Sequence, residues 1–327
     1  MNHLLLIRLS ALGDVLMTIP CVDSLARQYP DMRITFAGPA ILSKIFRRLP
    51  KNVDYICINK REFSGASGIL QLFRKLRAQQ PTHVCDLHNV LRTKVVRLLF
   101  RIYGTPTSHI IKNRKEQRKF LSTQPKKQQE TVFERQTSAI ARLGFTVDIG
   151  SFAPFSSLNR MGGVGIAPFA AHQGKIYPLE KMEVVARMLS GQGRSVYVFG
   201  AGKKEKALAE QWESKYDGVH SLIEKLNGID EEMDFIGGLD VMISMDSANM
   251  HLASLTTTPV ISIWGATHPY GGFLGRGQSL SNAIQMDDMG CRPCSMYGDK
   301  PCIVGNYPCL GRIVPERIVE KVNELCG

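Results

Sequence analysis

Short apolar runs alternate with amphipathic segments along the first half of the chain. The apolar runs are predicted strands, and the segments between them have the spacing of helices that bury one face. Such alternation is typical of parallel strands joined by crossover helices. The predicted strands are 4–9, 33–37, 55–59, 83–87 and 108–111, and the predicted helices are 15–28, 69–78, 90–103 and 128–143.

The same rhythm restarts after residues 149–163, a stretch rich in Ser, Pro and Gly that is the best linker candidate. A chain of 327 residues exceeds what one hydrophobic core usually organises. We therefore expect an α/β fold of two doubly wound, Rossmann-like parallel-sheet domains, 1–155 and 156–327, facing a central cleft. A last helix, at about 315–325, can pack back toward the first domain. The second half has predicted strands at 164–167, 195–199, 219–222, 241–245 and 260–264, with helices at 179–189, 204–215 and 248–255.

The net charge of +12 is unevenly distributed. Residues 1–155 hold 25 Lys or Arg against 10 Asp or Glu, whereas residues 156–327 hold 16 against 19. We expect the first half to meet an anionic partner such as nucleic acid, phosphorylated glycolipid or a membrane surface, although a solvated basic face explains the same count. No apolar run is long enough to span a bilayer or to be a secretory signal, so we expect a cytoplasmic protein.

Seven of the eight cysteines fall into two groups. Cys21, Cys57 and Cys85 lie singly in apolar segments and are predicted core thiols. Four others lie among Pro and Gly residues at 291–309, which we call the cysteine-rich segment. Its single close pair leaves three interpretations open: packed reduced thiols, a zinc site and disulfides. The four are Cys291, Cys294, Cys302 and Cys309.

The first predicted strand ends in Ser10-Ala11-Leu12-Gly13-Asp14, where a helix begins at once. Ligands of open α/β sheets bind beyond the carboxyl ends of the strands, so a carboxylate at this turn can reach a substrate. Gly13 is expected to permit a tight turn, and Asp14 can instead cap the helix. The local pattern leaves both roles of Asp14 open.

Two features of the second half indicate a diphosphate site. Lys175 lies in the loop 168–178 after the first strand of that half, and residues 246–251 open a helix after the strand 241–245. Helix N-termini offer unpaired N–H groups that bind phosphate. The alternative is that Asp246 only caps the helix and Lys175 is a solvated surface lysine. No G-x-G-x-x-G follows the first strand and no Walker loop occurs, so we do not expect NAD binding.

These motifs resemble glycosyltransferase family 9, which contains the ADP-heptose:lipopolysaccharide heptosyltransferases. The resemblance covers nearly the whole chain in the family's order. It implies a GT-B fold, in which the N-terminal domain binds the acceptor and the C-terminal domain binds the nucleotide-sugar. The motifs are 8–16, 86–89 with Arg92, Lys175 before Tyr177-Pro178, 246–251, 259–269 and the cysteine-rich segment.

The resemblance also implies roles for individual residues. Asp14 would be the general base that takes a proton from the acceptor hydroxyl, whose oxygen then displaces ADP in one inverting step. Positive groups would stabilise the leaving diphosphate. No D-x-D sequence occurs, so no catalytic metal is expected. No cofactor is expected either. The donor-binding set is Lys175, Asp246, Ser247, Ala248, His251 and Gly200, and the acceptor-binding set is Ser10, Gly13, Arg92, Lys112, Arg114 and Arg118.

Three members of the acceptor set lie in a predicted basic loop at 112–127, which holds seven Lys or Arg and a single acidic residue, Glu116. This density of positive charge can pair with phosphate or carboxylate groups and approach an anionic leaflet. A mobile, solvated loop is the alternative.

We therefore expect an inverting glycosyltransferase that moves heptose from ADP-heptose to a lipopolysaccharide core acceptor. Its partners would be a nucleotide-sugar, an anionic glycolipid and the inner face of the membrane, which it would contact peripherally, and no nucleic acid. One alternative is a family member that uses another nucleotide-sugar for a different surface glycan. The other is a non-catalytic protein that binds nucleotide-sugars or glycolipid, and such a protein needs no base at Asp14.

Overall fold

The computed structural model describes residues 2–157 and 159–327, so Leu158 of the predicted linker lies outside the described residues. The chain divides into two compact units. The first comprises residues 1–113 and 130–153, and the second comprises residues 114–129 and 154–327. None of the helices in the described ranges is long and apolar enough to cross a membrane.

Strands and helices alternate along most of the chain, as the hydrophobic pattern predicts. The strands are β1 (His3–Ile7), β2 (Arg33–Gly38), β3 (Val53–Cys57), β4 (His83–Asp86), β5 (Thr107–His109), β6 (Val164–Ala167), β7 (Val196–Val198), β8 (Val219–Ser221), β9 (Val241–Met245), β10 (Val260–Ile263) and β11 (Ala283–Ile284). The helices are α1 (Leu12–Leu16), α2 (Ile19–Gln28), α3 (Ser43–Phe46), α4 (Gly65–Arg77), α5 (Leu91–Ile102), α6 (Arg114–Ser122), α7 (Val132–Ala141), α8 (Leu179–Gly191), α9 (Lys203–Lys215), α10 (Ile229–Gly237), α11 (Ala248–Ala253), α12 (Pro308–Gly311) and α13 (Pro315–Cys326).

Each unit contains one parallel sheet in which the order of the strands reverses once. The first sheet runs β3-β2-β1-β4-β5 and the second runs β11-β10-β9-β6-β7-β8. The order reverses between β1 and β4 and between β6 and β9, and ligands of open sheets bind beyond the carboxyl ends of the strands at such points. The doubly wound parallel architecture predicted from the sequence is confirmed.

Several predicted helices have different boundaries in the structure, and for two of them the side chains show the reason. The segment 15–28 forms two helices, α1 and α2, because Thr18 donates its hydroxyl to the Val15 carbonyl at 2.6 Å and Pro20 lies in the first turn of α2. The segment 128–143 becomes helical only at Val132. Its N-cap is Thr131, whose side chain and that of Glu134 bond reciprocally to each other's main-chain amides.

The basic segment expected as a loop of the first domain is instead a helix, α6, in the second unit. The buried ring of Phe120 packs edge-on against His268, and the Gln129 amide donates to the Tyr270 carbonyl at 2.8 Å. Lys126 Nζ donates to the Phe120 carbonyl at 2.7 Å and so completes the end of the helix. Apolar and main-chain contacts, which the charge pattern does not reveal, decide where this segment packs.

This placement reduces the charge asymmetry between the two units. The first unit holds 19 Lys or Arg against 9 Asp or Glu, and the second holds 22 against 20. The net charges are therefore +10 and +2, not the +15 and −3 of the two sequence halves. Both units have positive charge to offer an anionic partner.

One smaller expectation also differs from the structure. Cys21 and Cys85 are buried as predicted, but Cys57 is exposed because it ends β3, the edge strand of its sheet. The last helix, α13, packs on α8 and on β9 and β10 of its own unit.

Candidate functional site

The turn after β1 holds a guanidinium against a carboxylate. Arg8 is only 8% exposed, and its Nη2 lies 2.5 Å from Oδ2 of Asp14. The same guanidinium donates to the carbonyls of Ser10 (3.1 Å) and Leu87 (2.5 Å). The Asp14 side chain is 31% exposed and accepts a 3.2 Å hydrogen bond from the Ala11 amide. Asp14 is thus a helix cap and an accessible, oriented carboxylate at once.

The imidazole of His88 lies beside this turn. Its Nε2 is 3.3 Å from Oγ of Ser10, and the side chain is 9% exposed. Burial, reinforced by the positive charges of Arg8 and Lys112, lowers the pKa of His88 to about 3. A neutral imidazole therefore stands next to Ser10 and Asp14 at physiological pH, where it can exchange a hydrogen bond but carries no charge.

Asp86 holds the loop that carries His88. Its fully buried carboxylate accepts from the main-chain amides of His88 (3.0 Å) and Asn89 (2.8 Å) and pairs with Arg97 (3.0 Å). The Asn89 side chain donates to the Ile110 carbonyl at 2.8 Å, which ties the loops after β4 and β5 together. Asp86 thus organises the edge of the first sheet through main-chain hydrogen bonds.

The other expected acceptor residues are distributed over both units. Gly13 lies inside α1 and does not make the tight turn we expected. Arg92 is half-buried in the first turn of α5, and Lys112, three residues after β5, is near enough to His88 to act on its titration. Arg114 and Arg118 are exposed on α6 and belong to the second unit.

At the carboxyl edge of the second sheet, one carboxylate joins three loops. Oδ2 of Asp246, after β9, lies 2.8 Å from Nζ of Lys175, after β6, and accepts a 2.8 Å hydrogen bond from Thr267, after β10. The three strands are neighbours, so their loops meet. Lys175 is 16% exposed and Asp246 is 4% exposed. Lys175 is therefore not a solvated surface lysine, and the N-cap of α11 is Ser247 rather than Asp246.

The remaining expected donor residues surround this cluster or lie along the same edge. Ser247 and Ala248 are half-buried at the start of α11, and His251 is buried in the same short helix. Gly200 follows β7, where a Cβ would lie 2.8 Å from Oε2 of Glu205. An acidic side chain therefore covers the turn after β7.

Arg292 is a structural residue of this edge that the sequence did not single out. It is 3% exposed, and Cys294 and Cys291 flank it in the cysteine-rich segment. Burial lowers its pKa. Its guanidinium donates to four main-chain carbonyls, those of Trp264 (3.0 Å), Gly265 (2.6 Å), Thr267 (3.0 Å) and Met286 (2.5 Å). Arg292 thus fixes the loop that carries Thr267. Contacts between residues so distant in the sequence leave no periodic pattern from which they could be predicted.

The thiols of the cysteine-rich segment are all free. Cys309 belongs to the core of the second sheet, and burial raises its pKa to about 11. Burial also raises the pKa of Cys294, which is half-buried. Among residues 2–157 and 159–327, no three His, Cys, Asp or Glu side chains are grouped so as to hold a metal ion. Cys309 is a packed core thiol, which is one of the three interpretations the sequence allowed.

Two doubly wound α/β units, each with polar side chains at the carboxyl edge of its sheet, are the architecture of a GT-B glycosyltransferase. Residues 60–300 match glycosyltransferase family 9 (heptosyltransferase), and the chain belongs to this family. It is an enzyme of the glycosyltransferase class.

Three known proteins similar to this chain are named heptosyltransferases. It is 30% identical over 212 residues to lipooligosaccharide heptosyltransferase 2 of Haemophilus influenzae, an alignment that covers 63% of this chain and 55% of that protein. It is 22% identical over 335 residues to the protein of the same name from Campylobacter jejuni, with 96% of each covered. The fold matches the E. coli structure named ADP-heptose lps heptosyltransferase II with a TM-score of 0.71 at 19% identity, over 100% of this chain and 98% of that one.

Proposed function

We propose that this glycosyltransferase moves heptose from ADP-heptose to a sugar of the lipopolysaccharide core by a single inverting displacement. The observation that carries the proposal is the cluster of Lys175, Asp246 and Thr267, whose side chains meet at 2.8 Å at the carboxyl edge of the second sheet. The names of the similar proteins support heptose as the transferred sugar, and the name of the E. coli structure supports ADP as its nucleotide.

Lys175 would bind the diphosphate of the donor. Its ammonium has three N–H donors and lies close to the half-buried start of α11, where the main-chain amides of Ser247 and Ala248 can also donate. As the bond between the sugar and the diphosphate breaks, negative charge grows on the leaving group. A fixed cation accelerates that step because it binds the charge better in the transition state than in the ground state.

Asp246 would have two tasks in the same step. It orients Lys175 through the 2.8 Å ion pair, and its second carboxylate oxygen is able to accept hydrogen bonds from hydroxyl groups of the donor sugar. Thr267 donates to the same oxygen of Asp246, Oδ2, so the carboxylate keeps its orientation when a ligand is bound.

Asp14 would be the general base. It accepts the proton of the acceptor hydroxyl while that oxygen attacks the anomeric carbon and the carbon–oxygen bond to ADP breaks, with inversion at that carbon. Arg8 keeps the carboxylate oriented, and the neutral His88 beside Ser10 can hold the acceptor by hydrogen bonds. A carboxylate is a weak base, so proton transfer is expected late, after the sugar–phosphate bond has largely broken.

Each unit has positive side chains that are candidates to bind the anionic acceptor. Lys112 and Arg92 belong to the first unit, and Arg114 and Arg118 are exposed on α6 of the second. Phosphorylated glycolipid acceptors sit in an anionic leaflet, so we also propose peripheral association with the inner membrane face through these groups.

A thermal-shift panel tests the donor assignment. A ligand that binds only the folded state raises the melting temperature, and at a fixed ligand concentration the shift grows with the logarithm of its affinity. ADP and ADP-heptose are expected to give the largest shifts among nucleoside diphosphates and their sugars, and Lys175→Ala is expected to abolish most of the shift. If UDP- or GDP-sugars gave a larger shift than ADP-heptose, the proposed donor would be wrong.

A further inference from the structure

The main chain of the cysteine-rich segment lies directly against the side chain of Lys175. Gly298 is buried, and a Cβ added to it would lie 2.7 Å from Cγ and 2.9 Å from Cε of Lys175. Distances below 3 Å are closer than non-bonded carbon atoms approach, so only glycine fits here without displacing the lysine. Gly298 also has a φ of +75°, which glycine adopts without strain.

The same segment covers the residue before Lys175. A Cβ on Gly174 would lie 2.8 Å from Cβ of Ala266, 3.1 Å from the carbonyl oxygen of Gly298 and 3.1 Å from Cε1 of Tyr307. The Gly174 carbonyl accepts a 2.8 Å hydrogen bond from the Ala266 amide. The loop that carries Lys175 is thus packed between the loop after β10 and the cysteine-rich segment.

Hydrogen bonds fix the position of the Gly298 main chain relative to the side chain of Lys175. The carbonyl of Ala266 accepts from the amides of Cys294 (3.0 Å) and Ser295 (3.3 Å), which ties the segment to the loop after β10. The buried hydroxyl of Ser295 accepts from the Gly298 amide at 3.1 Å and donates to Asp299. Gly298 therefore lies in a turn that is hydrogen-bonded both internally and to the loop after β10.

We propose that the cysteine-rich segment is a positioning element for the donor site, with Gly298 holding the methylene chain of Lys175 so that its ammonium stays at the diphosphate position. This inference rests on the proposed function, because it takes Lys175 to be the diphosphate ligand. A free lysine side chain has many rotamers, and confining it before the ligand arrives removes part of the entropic cost of binding.

The test compares two alanine variants in the full-length protein. Gly298→Ala places a methyl group against Lys175. Gly277→Ala is the matched control, because Gly277 has a φ of +78° and nothing within 4 Å of an added Cβ, so it carries the same backbone strain without the contact. ADP is the probe, and its dissociation constant is measured by calorimetry for both variants, for Lys175→Ala and for the double variant Gly298→Ala/Lys175→Ala.

The inference predicts that Gly298→Ala weakens ADP binding by about fivefold or more relative to Gly277→Ala, at a similar melting temperature. Because Gly298 acts only through Lys175, the two effects are not additive. The double variant is therefore expected to bind ADP with the same affinity as Lys175→Ala. Equal ADP affinity in the two glycine variants, or additive losses in the double variant, would overturn it. If Lys175→Ala itself leaves ADP binding unchanged, the donor assignment has failed instead.

Discussion

Arg8 Nη2 and Asp14 Oδ2 lie 2.5 Å apart, and this ion pair sets the orientation of the carboxylate that we propose as the base. Arg8 in turn donates to the carbonyls of Ser10, which follows β1, and Leu87, which follows the neighbouring strand β4. The position of Asp14 therefore depends on both loops, although its own helix has only five residues.

Replacing Arg8 by Met should reduce kcat while leaving donor affinity unchanged. The variant keeps most of the apolar stem but loses hydrogen bonds to a charged partner, which are worth about 1.5–3 kcal/mol, or roughly tenfold or more in rate. Steady-state kinetics with both substrates make the measurement. Arg33→Met is the control, because Arg33 pairs with Asp54 on an exposed part of the same unit. An unchanged kcat in Arg8→Met would show that Asp14 needs no such partner.

The titration of His88 predicts how stability depends on pH. Its pKa is about 3 in the folded protein and near 6.5 in the unfolded chain, so the unfolded chain binds the proton more readily. The contribution of the neutral imidazole is present in full above about pH 6.5 and is lost as the pH falls from there toward 3. Urea unfolding of the native protein and of His88→Gln at pH 7.5 and 4.5 measures this contribution.

His88→Gln should lose less stability than the native protein between these two pH values. His172→Gln, at an exposed position, should lose as much as the native protein. Parallel pH dependences in all three proteins would mean that His88 is protonated at little cost in the folded state.

Arg292→Met should destabilise the second unit by roughly 3 kcal/mol or more, because removing the guanidinium leaves several buried carbonyls without a donor. Chemical denaturation gives the free energy of unfolding. Arg312→Met removes an exposed pair with Asp288 and should cost below about 1 kcal/mol. Similar losses in the two variants would contradict the structural role given to Arg292.

The proposed membrane contact predicts salt-dependent binding to vesicles through α6. Arg118→Gln/Lys119→Gln should weaken binding to anionic phospholipid vesicles, measured by co-sedimentation, by roughly thirtyfold, since each of the two cations near such a surface contributes about 1 kcal/mol. Lys203→Gln/Lys204→Gln removes two exposed charges from α9 and should have a smaller effect. Equal loss in both variants would indicate that net charge, not α6, mediates the association.

The hydrophobic pattern was most informative where a strand is buried on both faces. β6 and β9 have the predicted boundaries, and every one of their residues is apolar or small and buried. The sequence also placed Lys175 and Asp246 at matching ends of the second sheet, and their side chains are in contact. Parallel strands with crossover helices impose that proximity, so a motif on each strand suffices to predict it.

Contacts between distant segments were not predictable in the same way. Arg8 reads as a polar residue after a strand, and Arg292 as one charge in a segment of Cys and Pro, yet both organise loops through main-chain carbonyls. The location of α6 depends on Phe120 and on the amide of Gln129, whereas its sequence is dominated by charge. Such residues become visible only when the chain is folded, because their partners are remote in sequence.

The central claim is most directly tested by mass spectrometry of a heptose-deficient lipopolysaccharide acceptor after incubation with ADP-heptose. The native protein and Asp31→Asn, altered at an exposed aspartate, should each add one heptose, whereas Asp14→Asn should bind ADP-heptose normally and transfer it roughly 10²–10⁴-fold more slowly. No heptose addition by the native protein would contradict the proposed reaction, and equal turnover by Asp14→Asn would remove Asp14 as the base.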